Sequence, residues 1–215
     1  MSVGGFTMID VHQIMSQLSH KRPVFHSEAD FQHAFGWELH TAMPHCAIRL
    51  ELPLEVAAKP LHLDLWVSTA SISVAIELKY KTRGLSVEVA GERFLLRDQA
   101  AQDLARYDFI KDIERLERIT DIRRGAKGYA VFLTNDSAYW KNPGNVRTVD
   151  AAYRIHDGRA VQGYLAWSAR ASSGTIKGRE EPIALTGEYR IAWHDYSSPA
   201  PSTYGSLRYV VVSVG

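Results

Sequence analysis

The chain has 215 residues, of which 46% are hydrophobic, 10% aromatic and 23% charged. This composition is typical of a globular protein with a sizeable core and excludes disordered, collagen-like and coiled-coil chains. Lys and Arg number 25 against 24 Asp and Glu, a net charge of +1, so a nucleic acid or a membrane surface would have to be met by a local patch.

Cys46 is the only cysteine. An intrachain disulfide and a thiolate zinc site are therefore excluded, and a reducing, cytoplasmic compartment is the simplest expectation. The residues from Met1 to Leu18 lack the basic start and unbroken apolar stretch of a signal peptide. The apolar runs are far shorter than a bilayer-spanning segment requires, so we expect no membrane partner.

Hydrophobic spacing predicts the elements in chain order. Ser27 is placed as the N-cap of a helix, and Ala90-Gly91 is placed to turn a hairpin. The predicted elements are a helix over 27–41, strands over 47–56, 61–67 and 72–80, a hairpin of strands 85–89 and 92–96, a helix over 97–121, and strands over 129–134, 189–193 and 207–214. Between the strands over 129–134 and 189–193 we expect a turn at 142–144 and a mobile Ser- and Gly-rich loop over 168–179.

Two details of the first strands matter for the site. Alternation predicts that Ile48, Leu50, Leu52 and Leu54 share one side of their strand, and Pro53 indicates a sheet edge. The next two strands should form an antiparallel hairpin. If its turn is centred between residues 70 and 71, Asp64 faces Glu77.

The order of elements predicts an α/β or α+β protein with a mixed sheet. No internal repeat or composition break divides the chain, so we expect a single domain over 1–215.

The chemistry-bearing segment is Asp64, followed thirteen residues later by Glu77-Leu78-Lys79. Glu77 and Lys79 share a strand face, and hairpin pairing adds Asp64 to it. A charge at Glu77 within an apolar run is costly unless it is paired or bound to a metal. Mg²⁺ prefers one or two carboxylates with waters and substrate phosphate, which Asp64 and Glu77 could supply.

These residues resemble the PD-(D/E)XK nuclease superfamily, over roughly residues 25–135. The resemblance implies a restriction-endonuclease-like core with a mixed central sheet flanked by helices, and leaves 136–215 as a C-terminal β-rich elaboration. It also implies that Asp64 and Glu77 hold Mg²⁺ or Mn²⁺ and that Lys79 orients or activates the attacking water. Glu28 would be a further metal-binding acid from the first helix, and Gln99 a supporting residue at the start of the long helix.

One position departs from the family pattern, since Leu63 stands where the motif name has proline. The resemblance implies a metal-dependent nuclease acting on DNA, with RNA as an alternative substrate and a homodimer as a possible state. Two basic clusters could contact phosphates. One contains Lys81 and Arg83, and the other contains Arg123 and Arg124.

Other readings stay open. Glu77 and Lys79 could be a same-face ion pair of little energetic value. An acid at Glu28 is favoured by the helix dipole regardless of function, and Gln99 could be a solvated helix residue. The runner-up function is a catalytically inactive nuclease-fold module that binds nucleic acid or a protein partner.

Overall fold

The structure is a computed structural model that describes residues 9–54, 61–144 and 147–215. No helix within these ranges is long and apolar enough to cross a membrane. A short 3₁₀ helix lies at Ala151–Tyr153. The other elements are α1 (Val11–Lys21), α2 (Glu28–Ala42), β1 (Ala47–Leu54), β2 (Leu61–Ser68), β3 (Ser73–Lys81), β4 (Leu85–Val89), β5 (Glu92–Leu96), α3 (Gln102–Ile122), β6 (Lys127–Thr134), β7 (Ala160–Leu165), β8 (Ile183–Arg190), β9 (Trp193–Ser197) and β10 (Leu207–Val214).

A mixed six-stranded sheet forms the middle layer, in the order β1-β2-β3-β6-β10-β9. Strands β3 and β6 are parallel, whereas the other neighbouring pairs are antiparallel. Helices α1 and α2 pack on one face, and α3 with the β7–β8 pair packs on the other. The predicted α/β class with a mixed, helix-flanked sheet is confirmed, and β10 of the C-terminal part joins β6 in this same sheet.

The second and third strands form the predicted antiparallel hairpin. Leu65 pairs with Ile76 and Ser68 with Ser73, which is the predicted register. Extended by one residue, this register places Asp64 opposite Glu77. The N-cap of α2 is also as predicted, because the Ser27 side chain accepts a hydrogen bond from the Asp30 amide.

The prediction that the apolar residues of β1 share one side is wrong. Ile48 packs in the cluster beneath α1 and α2, whereas Leu52 and Leu54 pack in the cluster beneath α3. The reversal occurs at Glu51, whose φ of 50° is in the left-handed region. A residue there breaks the period-two alternation, because successive side chains no longer point to opposite faces. β1 is an edge strand, as Pro53 indicated, and the predicted Val56 end lies outside the described residues.

The long helix begins at Gln102, five residues later than predicted. Gln99 is engaged with the end of β3 instead: its amide donates to the Thr82 carbonyl oxygen at 2.8 Å, and its side-chain oxygen accepts from the Thr82 amide at 2.9 Å. These bonds keep the chain extended before α3, and residues 97–101 have no helical structure. The position of Gln99 at the start of the helix is therefore wrong.

The predicted strand over 189–193 is also wrong, because two strands meet there: β8 ends at Arg190 and β9 begins at Trp193. The other late strand and the hairpin of β4 and β5 have the predicted bounds.

A buried carboxylate attaches β8 to α3. Glu117, 5% exposed, accepts hydrogen bonds from the amides of Thr186 and Gly187 and from the Tyr189 hydroxyl, at 2.7 to 3.0 Å. The side chain thus supplies the acceptor that a neighbouring strand would otherwise provide, since buried amides need partners.

Candidate functional site

Helix α3 presents two charged residues, Asp112 and Arg115, to Glu77 and Lys79 of β3. The Lys79 ammonium lies 3.1 Å from Asp112 Oδ2. Arg115 Nη1 lies 2.6 Å from Glu77 Oε1, and Nη2 of the same guanidinium lies 3.3 Å from Asp112 Oδ1. Glu77 and Lys79 therefore point to one face, as the strand period predicts, and that face is covered by α3.

Asp64 joins this group at the point where the β2–β3 ladder ends. Its Oδ2 accepts a hydrogen bond of 2.6 Å from the Leu78 amide, across the hairpin. Gln32 of α2 donates one hydrogen bond to the Asp64 carbonyl oxygen and another to Glu51, each at 3.0 Å. Asp64 therefore joins two elements: its backbone carbonyl is bonded to α2, and its carboxylate is bonded to β3.

Burial makes the negative charge of these carboxylates unfavourable. It raises the pKa of Asp64 to about 6, assisted by Asp112 and Glu28 and opposed by the Leu78 hydrogen bond and Lys79. It also raises the pKa of Glu77 well above its usual range, with Asp112 and Asp64 adding to the effect and Arg115 opposing it. Both directions follow from removing carboxylates from water near other carboxylates.

Lys79 stays positively charged despite its burial. Desolvation lowers the pKa of Lys79, but Asp112 and Glu28 outweigh it and the net shift is upward. The pKa of Asp112 is also raised, because burial outweighs the opposing effects of Lys79 and Arg115. A protonated ammonium can donate hydrogen bonds and stabilise negative charge, but it cannot accept a proton from water.

Glu28 reaches the same region from the first turn of α2. Its Oε2 accepts a hydrogen bond of 2.8 Å from the Tyr80 amide and lies 3.3 Å from the Lys81 ammonium. Its negative charge also raises the pKa of Asp64 and that of Lys79. The structure therefore places the predicted acids Glu28, Asp64 and Glu77 around one end of β3.

Gln99 and Glu28 line one cavity of about 280 Å³ at the N-terminus of α2, together with Ser27, Tyr80 and Thr82. Gln99 also lines a neighbouring cavity of about 250 Å³ with Lys81 and Asp108. Its amide oxygen is used by Thr82. Gln99 thus lies beside the candidate site although it is not on the helix.

The two basic clusters lie at opposite ends of the sheet, because α3 runs from the end of β3 back to the start of β6. Lys81 contacts Glu28, and Arg83 lies 2.6 Å from Asp98. Arg123 covers the Trp66 ring at 4.8 Å, and Arg124 is exposed. The end of α3 lies about 15 Å along the helix axis from Asp112, so Arg123 and Arg124 are remote from the candidate site.

The sequence reasoning missed Asp112, Arg115 and Gln32. Asp112 stands between Ile110 and Ile113, which are fully buried residues of α3, and a charge within the apolar stripe of a helix is a recognisable signal. Arg115 is three residues away and so lies on the same side of the helix. No pattern in the sequence marks Gln32.

The carboxylates of Asp64 and Glu77 meet some of the requirements of a divalent-cation site. Among residues 9–54, 61–144 and 147–215, no three His, Cys, Asp or Glu side chains are placed to hold a metal ion together. Mg²⁺, however, commonly uses one or two carboxylates plus water and phosphate. Asp64 and Glu77 each keep one oxygen without a hydrogen bond from the described residues. The half-buried Asp64 and the buried Glu77 and Asp112 are three acids beside two cations, Lys79 and Arg115.

Comparisons with models of known protein families, with curated proteins and with solved structures found no match to this chain.

Proposed function

We propose that the chain is a divalent-metal-dependent nuclease with a restriction-endonuclease-like core, which hydrolyses phosphodiester bonds of DNA. The observation that carries the proposal is the convergence of Asp64, Glu77 and Lys79 at the end of the β2–β3 hairpin, on the side covered by α3. The order of α2, the three strands β1 to β3, the β4–β5 hairpin, α3 and β6, with β3 parallel to β6, supports the proposed fold.

The raised carboxylate pKa values add a physical argument. Groups that are costly to ionise gain free energy when a cation binds beside them. Asp64 and Glu77 would hold Mg²⁺ or Mn²⁺ through their unbonded oxygens, and Glu28 would act on the ion from the side of α2. The bound ion supplies Lewis acidity to the phosphoryl group and to the attacking water.

The role of Lys79 is narrowed by its charge state. As a persistent ammonium held by Asp112, it would orient the attacking water or stabilise negative charge that develops on the phosphoryl oxygens. It would not remove the proton. Lys81, which adjoins the site, would contact a flanking phosphate after release from Glu28.

The test is cleavage of linear, nicked, single-stranded and branched DNA, and of RNA, with Mg²⁺ or Mn²⁺ and with EDTA as a control. Asp64→Asn is the main variant, because it keeps an acceptor for the Leu78 amide. Asp195→Asn is its matched control, since that side chain is 93% exposed. The proposal predicts metal-dependent cutting by the wild type and the control only; no cutting together with no calorimetric Mn²⁺ binding would overturn it.

A second function, a catalytically inactive module that binds nucleic acid or a protein, is favoured by one observation. Arg115 already neutralises Glu77, and Asp112 already neutralises Lys79. Such a module would bind DNA in fluorescence anisotropy without divalent ions, and Asp64→Asn would leave that affinity unchanged.

A further inference from the structure

The cavity of about 250 Å³ beside the candidate site is lined by two cationic side chains from different parts of the chain. Lys81 comes from the end of β3, and Arg179 comes from the loop between β7 and β8. Aliphatic side chains around the start of α3 also line it, namely Ala100, Ala101, Leu104 and Ala105. The cavity thus combines groups that can bind phosphate with an uncharged surface that can contact a sugar.

Arg179 is held at this cavity by an ion pair with α3. Its Nε lies 2.6 Å from Asp108 Oδ1, and its Nη2 lies 2.8 Å from Asp108 Oδ2. This two-point pairing fixes the plane of the guanidinium. No described residue is hydrogen-bonded to Nη1 of Arg179, and 32% of the side chain is exposed. Because a guanidinium has five N–H groups, donors remain for a further acceptor.

The backbone around Arg179 is attached to α3 independently of this ion pair. The Tyr107 hydroxyl donates a hydrogen bond of 2.8 Å to the Glu181 carbonyl oxygen, and Trp167 Nε1 donates one of 2.7 Å to the Arg179 carbonyl oxygen. The rings of Tyr107 and Trp167 are stacked, with their centroids 5.6 Å apart. A cation that is already positioned loses little conformational freedom when it binds a ligand.

Asp108 connects this cavity to the candidate site. It lies one turn before Asp112 on α3, so the two carboxylates share a side of the helix. Its negative charge also helps to raise the pKa of Lys79. On the other wall of the cavity, Lys81 is two residues beyond Lys79 on β3. A strand whose scissile phosphate lies beside Lys79 would therefore pass the cavity with its neighbouring nucleotide.

We propose that this cavity is the subsite for the sugar–phosphate backbone of the DNA strand next to the scissile bond, an inference that rests on the proposed nuclease function. Arg179 contacts a phosphate through the donors that Asp108 leaves free, and Lys81 contacts a phosphate from the opposite wall. The aliphatic lining contacts the sugar. Arginine suits this role because its planar group matches phosphate oxygens with parallel hydrogen bonds.

The experiment is fluorescence anisotropy of the full chain with labelled single-stranded and duplex DNA over a salt series. EDTA prevents cutting, and contacts of arginine with phosphate do not need the metal. Arg179→Ala should lower the slope of log affinity against log salt by about 0.9 for duplex and about 0.7 for single-stranded DNA. It should weaken binding about tenfold at fixed salt. Arg170→Ala, at an exposed arginine of the same loop outside the cavity, is the charge-matched control and should leave the slope unchanged.

Asp108→Asn separates phosphate contact from a structural role of the ion pair. It removes a negative charge beside the proposed phosphate and leaves Arg179 in place, so binding should be as tight as in the wild type or tighter. If the pair only holds the loop, Asp108→Asn and Arg179→Ala should weaken binding alike, and the proposal would be overturned. An unchanged slope in Arg179→Ala, or an equal decrease in Arg170→Ala, would also overturn it.

Cleavage with Mg²⁺ in parallel distinguishes this inference from the nuclease function. A wild type that cuts DNA while Arg179→Ala binds and cuts equally well would overturn the subsite alone. A wild type that shows the expected slopes but does not cut would overturn the nuclease function and support the subsite as a site of DNA binding. A wild type that neither binds nor cuts DNA would overturn both.

Discussion

The ammonium of Lys79 and the carboxylate of Asp112 form an ion pair of 3.1 Å, with 14% and 9% of the two side chains exposed. The lysine of the motif is therefore held by α3 and not by the acids of its own hairpin. Because α3 is positioned by its apolar stripe, packing of the core determines where the charge of Lys79 lies.

Replacing Lys79 with methionine should destabilise the fold by about 3 kcal/mol, since it leaves the buried Asp112 with Arg115 as its remaining cation. Adding Asp112→Leu should restore most of that loss. Urea denaturation measures both changes. Lys81→Met, which breaks the more exposed pair with Glu28, is the control and should cost less than about 1 kcal/mol. An additive double variant would show that the two groups do not interact.

Asp64→Asn should stabilise the protein at alkaline pH. The pKa of Asp64 is about 6 in the folded protein against an ordinary value of 3.8, so the folded state binds its proton more tightly. Wild-type stability therefore falls as pH rises through this interval. At about pH 8 the variant should gain on the order of 2 kcal/mol, and near pH 4 it should gain little.

Unfolding curves at the two pH values measure this difference. A loss of stability at alkaline pH in Asp64→Asn would instead identify the ionised carboxylate as a structural acceptor for the Leu78 amide. Under the proposed function, Mg²⁺ should raise the melting temperature of the wild type and leave that of Asp64→Asn unchanged.

Glu117→Ala should cost roughly 2 to 4 kcal/mol, because the Thr186 and Gly187 amides and the Tyr189 hydroxyl lose their buried acceptor. Hydrogen exchange of the two amides should accelerate well beyond that of amides in β6. Glu188→Ala, at an exposed position of β8, should leave stability and exchange unchanged. Unaltered protection of the two amides would show that they do not depend on Glu117.

If duplex DNA binds at the candidate site, Lys81→Ala should lower the slope of log affinity against log salt by about 0.9. Arg124→Ala should leave the slope unchanged, because Arg124 lies at the opposite end of the sheet. Fluorescence anisotropy over a salt series, with a duplex of about ten base pairs, measures both. If Arg124→Ala lowered the slope and Lys81→Ala did not, the DNA interface would lie at the C-terminal end of α3.

Much of the fold could be predicted because local patterns agree with it. The register of β2 with β3, the turn at Ala90-Gly91 and the N-cap at Ser27 each depend on residues close in sequence. The late start of α3 could not be predicted, since it depends on bonds between Gln99 and Thr82, seventeen residues apart.

The same distinction applies to the candidate site. Glu77 and Lys79 share a face because a strand has a period of two. Their partners Asp112 and Arg115 come from a helix more than thirty residues later, and local periodicity does not identify which groups meet across a core. The face reversal at Glu51 could not be predicted either, because a glutamate seldom adopts a positive φ.

That reversal also affects how the sheet ends. Among the strands that the structure describes, β1 pairs on one side only, and an edge strand is a template on which a second chain can add a strand and aggregate. Glu51 turns the strand over midway, and Pro53 lacks an amide to donate. An incoming strand would meet side chains that change face at Glu51 and an amide missing at Pro53, and both features make an edge a poorer template for strand addition.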